Sequence, residues 1–183
     1  MITIDGNSEA SLNVKLLSDY SDPGTPRVRK QHVDVPGRAG VYDFNTEYDV
    51  RPIELSFVTT GTTSPTNVQA VIRNFVDVLT DTNGDPKEVT LTFSEESSKH
   101  YDVKLDSIIN VTRTPAGFAK FRVRFLARTP FAFSDTSTVT TNVTSSGQTI
   151  SVTNSGSAAT PTVITITNNG DNAISGFTIQ KSS

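Results

Sequence analysis

Apolar and polar positions alternate through the first two thirds of this chain, the pattern of strands with one buried face. Leu12-Asn13-Val14-Lys15-Leu16 shows it first. A stretch over 27–35 follows, with Val28, Val33 and Val35 as its apolar members, and the next, 41–48, is rich in aromatics. Between them, Pro36-Gly37-Arg38-Ala39-Gly40 reads as a turn, because Pro presets φ and the glycines accept positive φ. Ile53, Leu55 and Phe57 then alternate with Glu54 and Ser56. Val89 to Phe93 and Tyr101 to Leu105 repeat the pattern, the latter running on through Ile108 to Val111. Phe121, Val123 and Phe125 alternate with Arg122 and Arg124 in the clearest strand of all.

One segment breaks the period of two. Val68, Val71, Ile72, Phe75, Val76 and Leu79 recur at three- and four-residue spacing, which predicts an amphipathic helix over about 65–81. Ser64 is placed to cap it, Pro65 to open it and Asn83-Gly84 to stop it. A single helix among many strands, without regular βα alternation, argues against a parallel α/β fold. The expectation is a mainly-β protein, a β-sandwich with one helix packed on a sheet.

The pattern weakens near residue 134. Residues 135–183 hold 3 charged side chains and 21 Ser or Thr among 49 positions, too few apolar groups for a large core of their own. Short strand signals survive at 149–152, 163–166 and 177–179, separated by turn residues at Asn154-Ser155-Gly156 and Asn168-Asn169-Gly170-Asp171. Three short strands make a poor independent sheet. The chain is therefore divided into a first domain, 1–134, and a linker with a partial β-sandwich domain, 135–183, truncated or reduced. Phe131 and Phe133, at the boundary, are candidate anchors for the linker.

Composition narrows the function more than it defines it. Charged residues are only 19% of the chain and the net charge is -3, so bulk electrostatics attract neither nucleic acid nor an anionic membrane. The absence of cysteine removes disulfides, thiolate nucleophiles and Cys-based metal sites. The opening residues lack a signal-peptide pattern, and no apolar run approaches the roughly 20 residues of a membrane helix. The two histidines, His32 and His100, each lie in a strand without metal-ligand spacing and read as exposed polar positions. Glu95-Glu96 are adjacent, which on a strand turns them to opposite faces and suits a solvated loop better than acid–base work. No Ser sits in a nucleophile elbow, and Gly37-Arg38-Ala39-Gly40 precedes no helix that could cradle phosphate. No catalytic residue, metal site or cofactor is expected, and the chain does not read as an enzyme.

Taken in order, several of these pieces resemble a known family. They are Gly6 in the opening segment, Val33-Asp34-Val35-Pro36-Gly37-Arg38-Ala39-Gly40, and Tyr48 with Arg51-Pro52-Ile53-Glu54-Leu55-Ser56-Phe57. After them come Arg73-Asn74-Phe75, Leu91-Thr92-Phe93, Tyr101-Asp102-Val103-Lys104-Leu105, and Phe121-Arg122-Val123-Arg124-Phe125 leading to Arg128-Thr129-Pro130-Phe131-Ala132. The order resembles the distal tail protein (Dit) family of long-tailed phages over about residues 1–134, and 152–166 resembles the start of that family's galectin-like second domain. The resemblance implies a tail-tube-like first domain that forms a hexameric ring at the end of the tail tube. It implies a hub for tail-associated fibre and receptor-binding components, with the tube protein and the tape measure protein as neighbours and a lumen that passes DNA. The implied location is the virion tail tip, after assembly in the host cytoplasm.

Ring closure needs a head-to-tail contact between copies. The strands at 28–35 and 41–48, joined as a long hairpin, are the candidate arm, with Pro36, Gly37, Arg38, Gly40 and Arg51 as candidate interface residues. The rival expectation is a carbohydrate-binding or adhesion module; the lack of Trp and the presence of only 4 Tyr count against it, since sugar sites favour aromatic platforms.

Overall fold

The computed structural model describes residues 1–21, 24–61, 65–114, 117–145, 147–153, 156–157, 161–172, 176 and 178–179. They fall into two compact units, Met1–Thr138 and Val139–Ser183. Among the described residues, the first unit carries all the regular structure. Its strands are β1 (Ile2–Ile4), β2 (Asn7–Ser8), β3 (Val14–Leu16), β4 (Val28–Asp34), β5 (Val41–Tyr48), β6 (Arg51–Thr59), β7 (Glu88–Phe93), β8 (Lys99–Leu105), β9 (Asn110–Arg113), β10 (Ala119–Ala127) and β11 (Phe133–Ser134). Helix α1 spans Pro65–Leu79 and a 3-10 turn spans Ser94–Glu96.

Nine strands form one curled antiparallel sheet in the order β2-β1-β7-β8-β10-β6-β3, with β9 on β10 and β11 on β8. The layered, mainly-β architecture with one helix is present, and its layers belong to a single sheet. The alternating sequences supply the inner face. Ile53, Leu55 and Phe57 of β6 lie beside Phe121, Val123 and Phe125 of β10, all buried. Leu91, Val103, Ile2 and Ile4 continue the core around the curl.

Helix α1 lays its apolar stripe on this surface as the spacing predicts. Phe75 touches Phe57 and Phe121 at ring-centroid distances of 5.2 and 5.1 Å. Val68 and Ile72 pack on Ala119 in a smaller cluster. The helix ends at Leu79, two residues short of the predicted boundary, because Asp81 is diverted into a turn. Its Oδ1 accepts from the N–H groups of Asn83 and Asp85, and Gly84 takes φ +84°. The predicted cap, Ser64, lies outside the described residues.

Two strand expectations are corrected. The strand through Tyr101 does not run on to Val111, because residues 106–109 leave the ladder. Asp106 donates its N–H to Arg124 O at 2.9 Å and its carboxylate meets Arg124 Nε at 3.2 Å, turning the chain outward. The chain then rejoins the same edge of β10 as β9. In the second unit, residues 149–152 and 163–166 form no strand. Their apolar side chains stay exposed, up to 89% at Val163, so no buried face rewards extended pairing there. Side chains close local turns instead. Gln148 bonds Thr144 N and Asn142 O, and Asn168 Oδ1 takes Gly170 N. Phe177, in the third expected strand, and the turn at Asn154-Ser155 lie outside the described residues.

A curled sheet brings its ends together, and here one carboxylate joins them. Glu9 Oε1 accepts from Ile2 N of β1 at 2.6 Å, and Oε2 accepts from Leu16 N of β3 at 3.2 Å. Glu9 also gives its backbone oxygen to Val14 N at 3.0 Å. Beyond β3 a strap over 17–21 runs along β6: Leu17 N bonds Ser56 O, and Ser21 pairs with Glu54. This strap explains why Ser56, a polar residue on the outward side, is buried. Asp19 of the strap bonds Lys120 Nζ at 2.9 Å, and that hydrogen bond holds its carboxyl below the usual range. Tyr20 stacks on Phe93 of β7 at 6.1 Å across the same seam.

Replacing Glu9 with Ala leaves the Ile2 and Leu16 N–H groups without their acceptor and lowers unfolding free energy by about 2–4 kcal/mol. Glu9→Gln, which keeps one acceptor oxygen, loses about half of that. Urea unfolding measures both, and an unchanged midpoint for Glu9→Ala rules out closure by this carboxylate.

Candidate functional site

The feature that the core does not account for is the hairpin β4–β5, a separate two-stranded sheet. Every residue of both strands is exposed, apolar ones included. Phe44 is 71% exposed, and Val33 and Tyr42 are each about half exposed. Among the described residues, the outer edges of both strands carry no ladder to another strand. Open edges and uncovered aromatics are what proteins reserve for binding or else suppress.

Local chemistry explains why the hairpin forms without a core. Its turn is pre-shaped: Gly37 and Gly40 take φ +85° and +89°, which only glycine adopts freely, and Arg38 N donates to Val35 O at 3.2 Å. Arg38 lies over the Tyr42 ring at 4.0 Å. Arg29 pairs with Glu47 across the strands at 2.9 Å, and that hydrogen bond holds the guanidinium pKa further up. Between Gln31 and His32 the register shifts by one, so that Phe44 is the extra residue of a bulge.

The root is closed by its own backbone and touches the body through one ring. Arg27 exchanges backbone bonds with Asp49 and Val50. The Tyr48 ring meets the Phe131 ring edge-on at 5.8 Å. Phe133, two residues further on, pairs with His100 through β11 and lies 6.0 Å from its ring. The two phenylalanines at the end of the first unit thus contact different elements, Phe131 the hairpin and Phe133 β8.

The remaining sequence candidates separate. Pro36, Gly37, Arg38 and Gly40 come together at the hairpin turn, all exposed. Arg51 does not join them: it is 9% exposed, at the start of β6, with its guanidinium 4.8 Å from the Tyr101 ring. His32 faces Asp43 across the hairpin, and His100 Nε2 is 4.0 Å from Asp102. Glu95 and Glu96 sit on the exposed 3-10 turn. Glu95 is held below the usual carboxylate range by its own backbone N–H and, less strongly, by the N-terminal ammonium. Among the described residues no group of three or more His, Asp or Glu is placed to hold a metal ion, and no helix is long and apolar enough to cross a membrane. An open recess of about 360 Å³ lies on the outer face of the sheet, lined by Glu54, Ser107, Ile108, Asn110, Arg122 and Arg124. The sequence reading missed Ile108, which projects beside it at 82% exposure, by counting it as a strand position.

Comparison with known proteins gives this surface a context. The family model for the phage tail protein RIFT-related domain matches residues 8–127, which is most of the chain. The chain belongs to this family of phage tail proteins. It is thereby a structural component of a tail rather than a member of an enzyme family. Among solved structures it is similar to SPP1 Dit (gp 19.1), described as a paradigm of the hub adsorption apparatus in phages infecting Gram-positive bacteria. That likeness has a TM-score of 0.61 at 17% identity over 74% of this chain, and so concerns the fold. The chain spans about half, 53%, of that protein's length. No curated protein matches in sequence.

Removing the Phe131 ring frees the hairpin root without opening the core. Phe131→Ala is expected to lower global stability by no more than about 1.5 kcal/mol, the range of an aromatic pair. It should also speed proteolytic cleavage between Pro36 and Gly40. Limited proteolysis with a parallel thermal melt checks both, and an unchanged cleavage rate contradicts the anchoring role.

Proposed function

We propose that this chain is a non-enzymatic ring subunit of the phage tail tip. In this reading it forms a hexameric ring at the distal end of the tail tube and serves as the hub for tail-associated and receptor-binding components. Its partners are further copies of itself, the tail tube protein, a tail-associated hub or fibre protein and the tape measure protein; DNA passes through the lumen without sequence-specific contact. Assembly takes place in the host cytoplasm. The first unit is the ring-forming part. Residues 135–183 are the linker and a partial second β-sandwich domain, truncated or reduced.

The observation that carries this reading is the exposed hairpin on a tail-protein fold. A head-to-tail contact that closes on itself produces a ring, and an arm that leaves its own body uncovered supplies such a contact. Within this reading, Pro36, Gly37, Arg38 and Gly40 belong to the contact between copies, and Arg51 supports it from inside the body.

Negative-stain images of the purified protein are expected to show annular particles with a central hole, and light scattering an integral multiple of the monomer mass. Arg38→Glu, or deletion of residues 36–40, should shift the mass toward the monomer while circular dichroism stays unchanged. Full-size rings after that deletion remove the hairpin from the mechanism; monomers alone at all concentrations remove the ring.

A further inference from the structure

Resting on the reading of the chain as a ring subunit, the hairpin still has two faces to offer, and its bulge decides between them. Residues paired across an antiparallel ladder share a face, and positions an odd number apart on a regular strand lie on opposite faces. Val28 pairs with Tyr48 and Val33 with Tyr42. On β4, Val28 and Val33 are five positions apart, so these two apolar pairs point to opposite sides of the ribbon. Were Phe44 paired in a regular ladder, Tyr42, six positions before Tyr48, would share its face. The bulge moves it to the other side.

The two faces meet different fates. The root face, at Tyr48, is partly covered by Phe131 of the same chain. The tip face, with Val33 and Tyr42 about half exposed and Arg38 stacked on Tyr42, lies bare.

We infer that this tip face seats on a second copy of the chain, in the recess bounded by Glu54, Ile108, Arg122 and Arg124. Three observations select the occupant and the seat. Reach is the first. The ribbon extends about 25 Å from its root, whereas Glu54 lies only four residues past Val50 at that root. Strands paired from Val28↔Tyr48 to Asp34↔Val41 hold the tip away from the root, so the inferred contact joins the tip of one copy to the recess of another. Such a contact joins unlike surfaces and is head-to-tail.

Charge is the second. Over residues 27–49 the arm carries Arg27, Arg29, Lys30 and Arg38 against Asp34, Asp43, Glu47 and Asp49. That four-to-four balance disfavours a polyanion and suits a surface of mixed sign. The recess is mixed too: Arg124 Nε stands 3.2 Å from Asp106 and 4.0 Å from Glu54, with Arg122 alongside. Arg38, which lies over Tyr42 on this face, meets the Glu54 and Asp106 carboxylates there. Apolar matching is the third, since Ile108, 82% exposed at the rim, offers the partner that Val33 and Tyr42 lack.

The chain contains no cysteine, so the contact can be trapped without background. Ala39→Cys marks the tip and Ser107→Cys the recess, both at exposed positions. Mild oxidation of the two single variants mixed together is expected to give a covalent dimer of one with the other. Either variant alone should stay unlinked, and the double variant should give a ladder ending at the ring mass. Adding Ile108→Asp to the Ser107→Cys variant should cut the mixed dimer about tenfold, the effect of losing one well-packed anchor, with an unchanged melting temperature. Cross-linking of Ala39→Cys with itself, but not with Ser107→Cys, means a tip-to-tip contact and overturns the seat. Absence of any disulfide while the parent protein still scatters at ring mass overturns the seat and leaves the ring. A monomeric parent protein overturns both.

Discussion

A β-sheet that curls until its ends face one another brings together two edges whose backbone groups point inward at each other. Water cannot serve them well there, and an unpaired edge is also an invitation to other chains. In this protein Glu9 resolves the conflict. Its two oxygens take the N–H groups of Ile2 and Leu16, and its own carbonyl takes that of Val14. Everything inside the curl depends on that closure. Ile2, Ile4, Leu12 and Val14 are buried because the seam is shut, and they complete a core in which Phe57, Phe75 and Phe121 meet. With its own edges joined, the body leaves the hairpin as the longest open ribbon among the described residues.

The sequence showed much of this and missed the rest for identifiable reasons. Helix α1 was legible because six apolar residues repeat at helical spacing over one continuous stretch. Strands β6 and β10 were legible because each alternates cleanly, and they became the paired centre of the sheet. Alternation does not say which strand lies beside which, so one curled sheet could not be told from two stacked ones. It also overstated the strand through Ile108, where Asp106 and Arg124 interact across the sheet and divert the chain. Glu9 gave no local signal at all, since its role exists only when residues seven positions to either side come together.

At the candidate site the position of the turn was legible from Pro36, Gly37 and Gly40. Arg51 stands apart from it, with its guanidinium over Tyr101. The bulge was hidden because it depends on register, which no single strand records. The strand signals at 149–152 and 163–166 failed for a related reason. Alternation at Ile150 and Val152 or at Ile164 and Ile166 prepares a strand, but a prepared strand needs a surface to lie on. Thus Phe44, Tyr42, Ile150, Val152, Ile164 and Ile166 share one property: each is patterned for burial and stays exposed.

Phe131 and Phe133 stand two residues apart, yet one holds the hairpin root and the other the edge of β8. Tension applied to the polypeptide beyond Ser134 therefore loads a very short strand first, and once β11 peels away the strain passes to the ring beneath Tyr48. The linker acts as a tether with two rivets in series. A load large enough to strip both would also loosen the base of the arm, so the far end of the chain and the hairpin are mechanically connected.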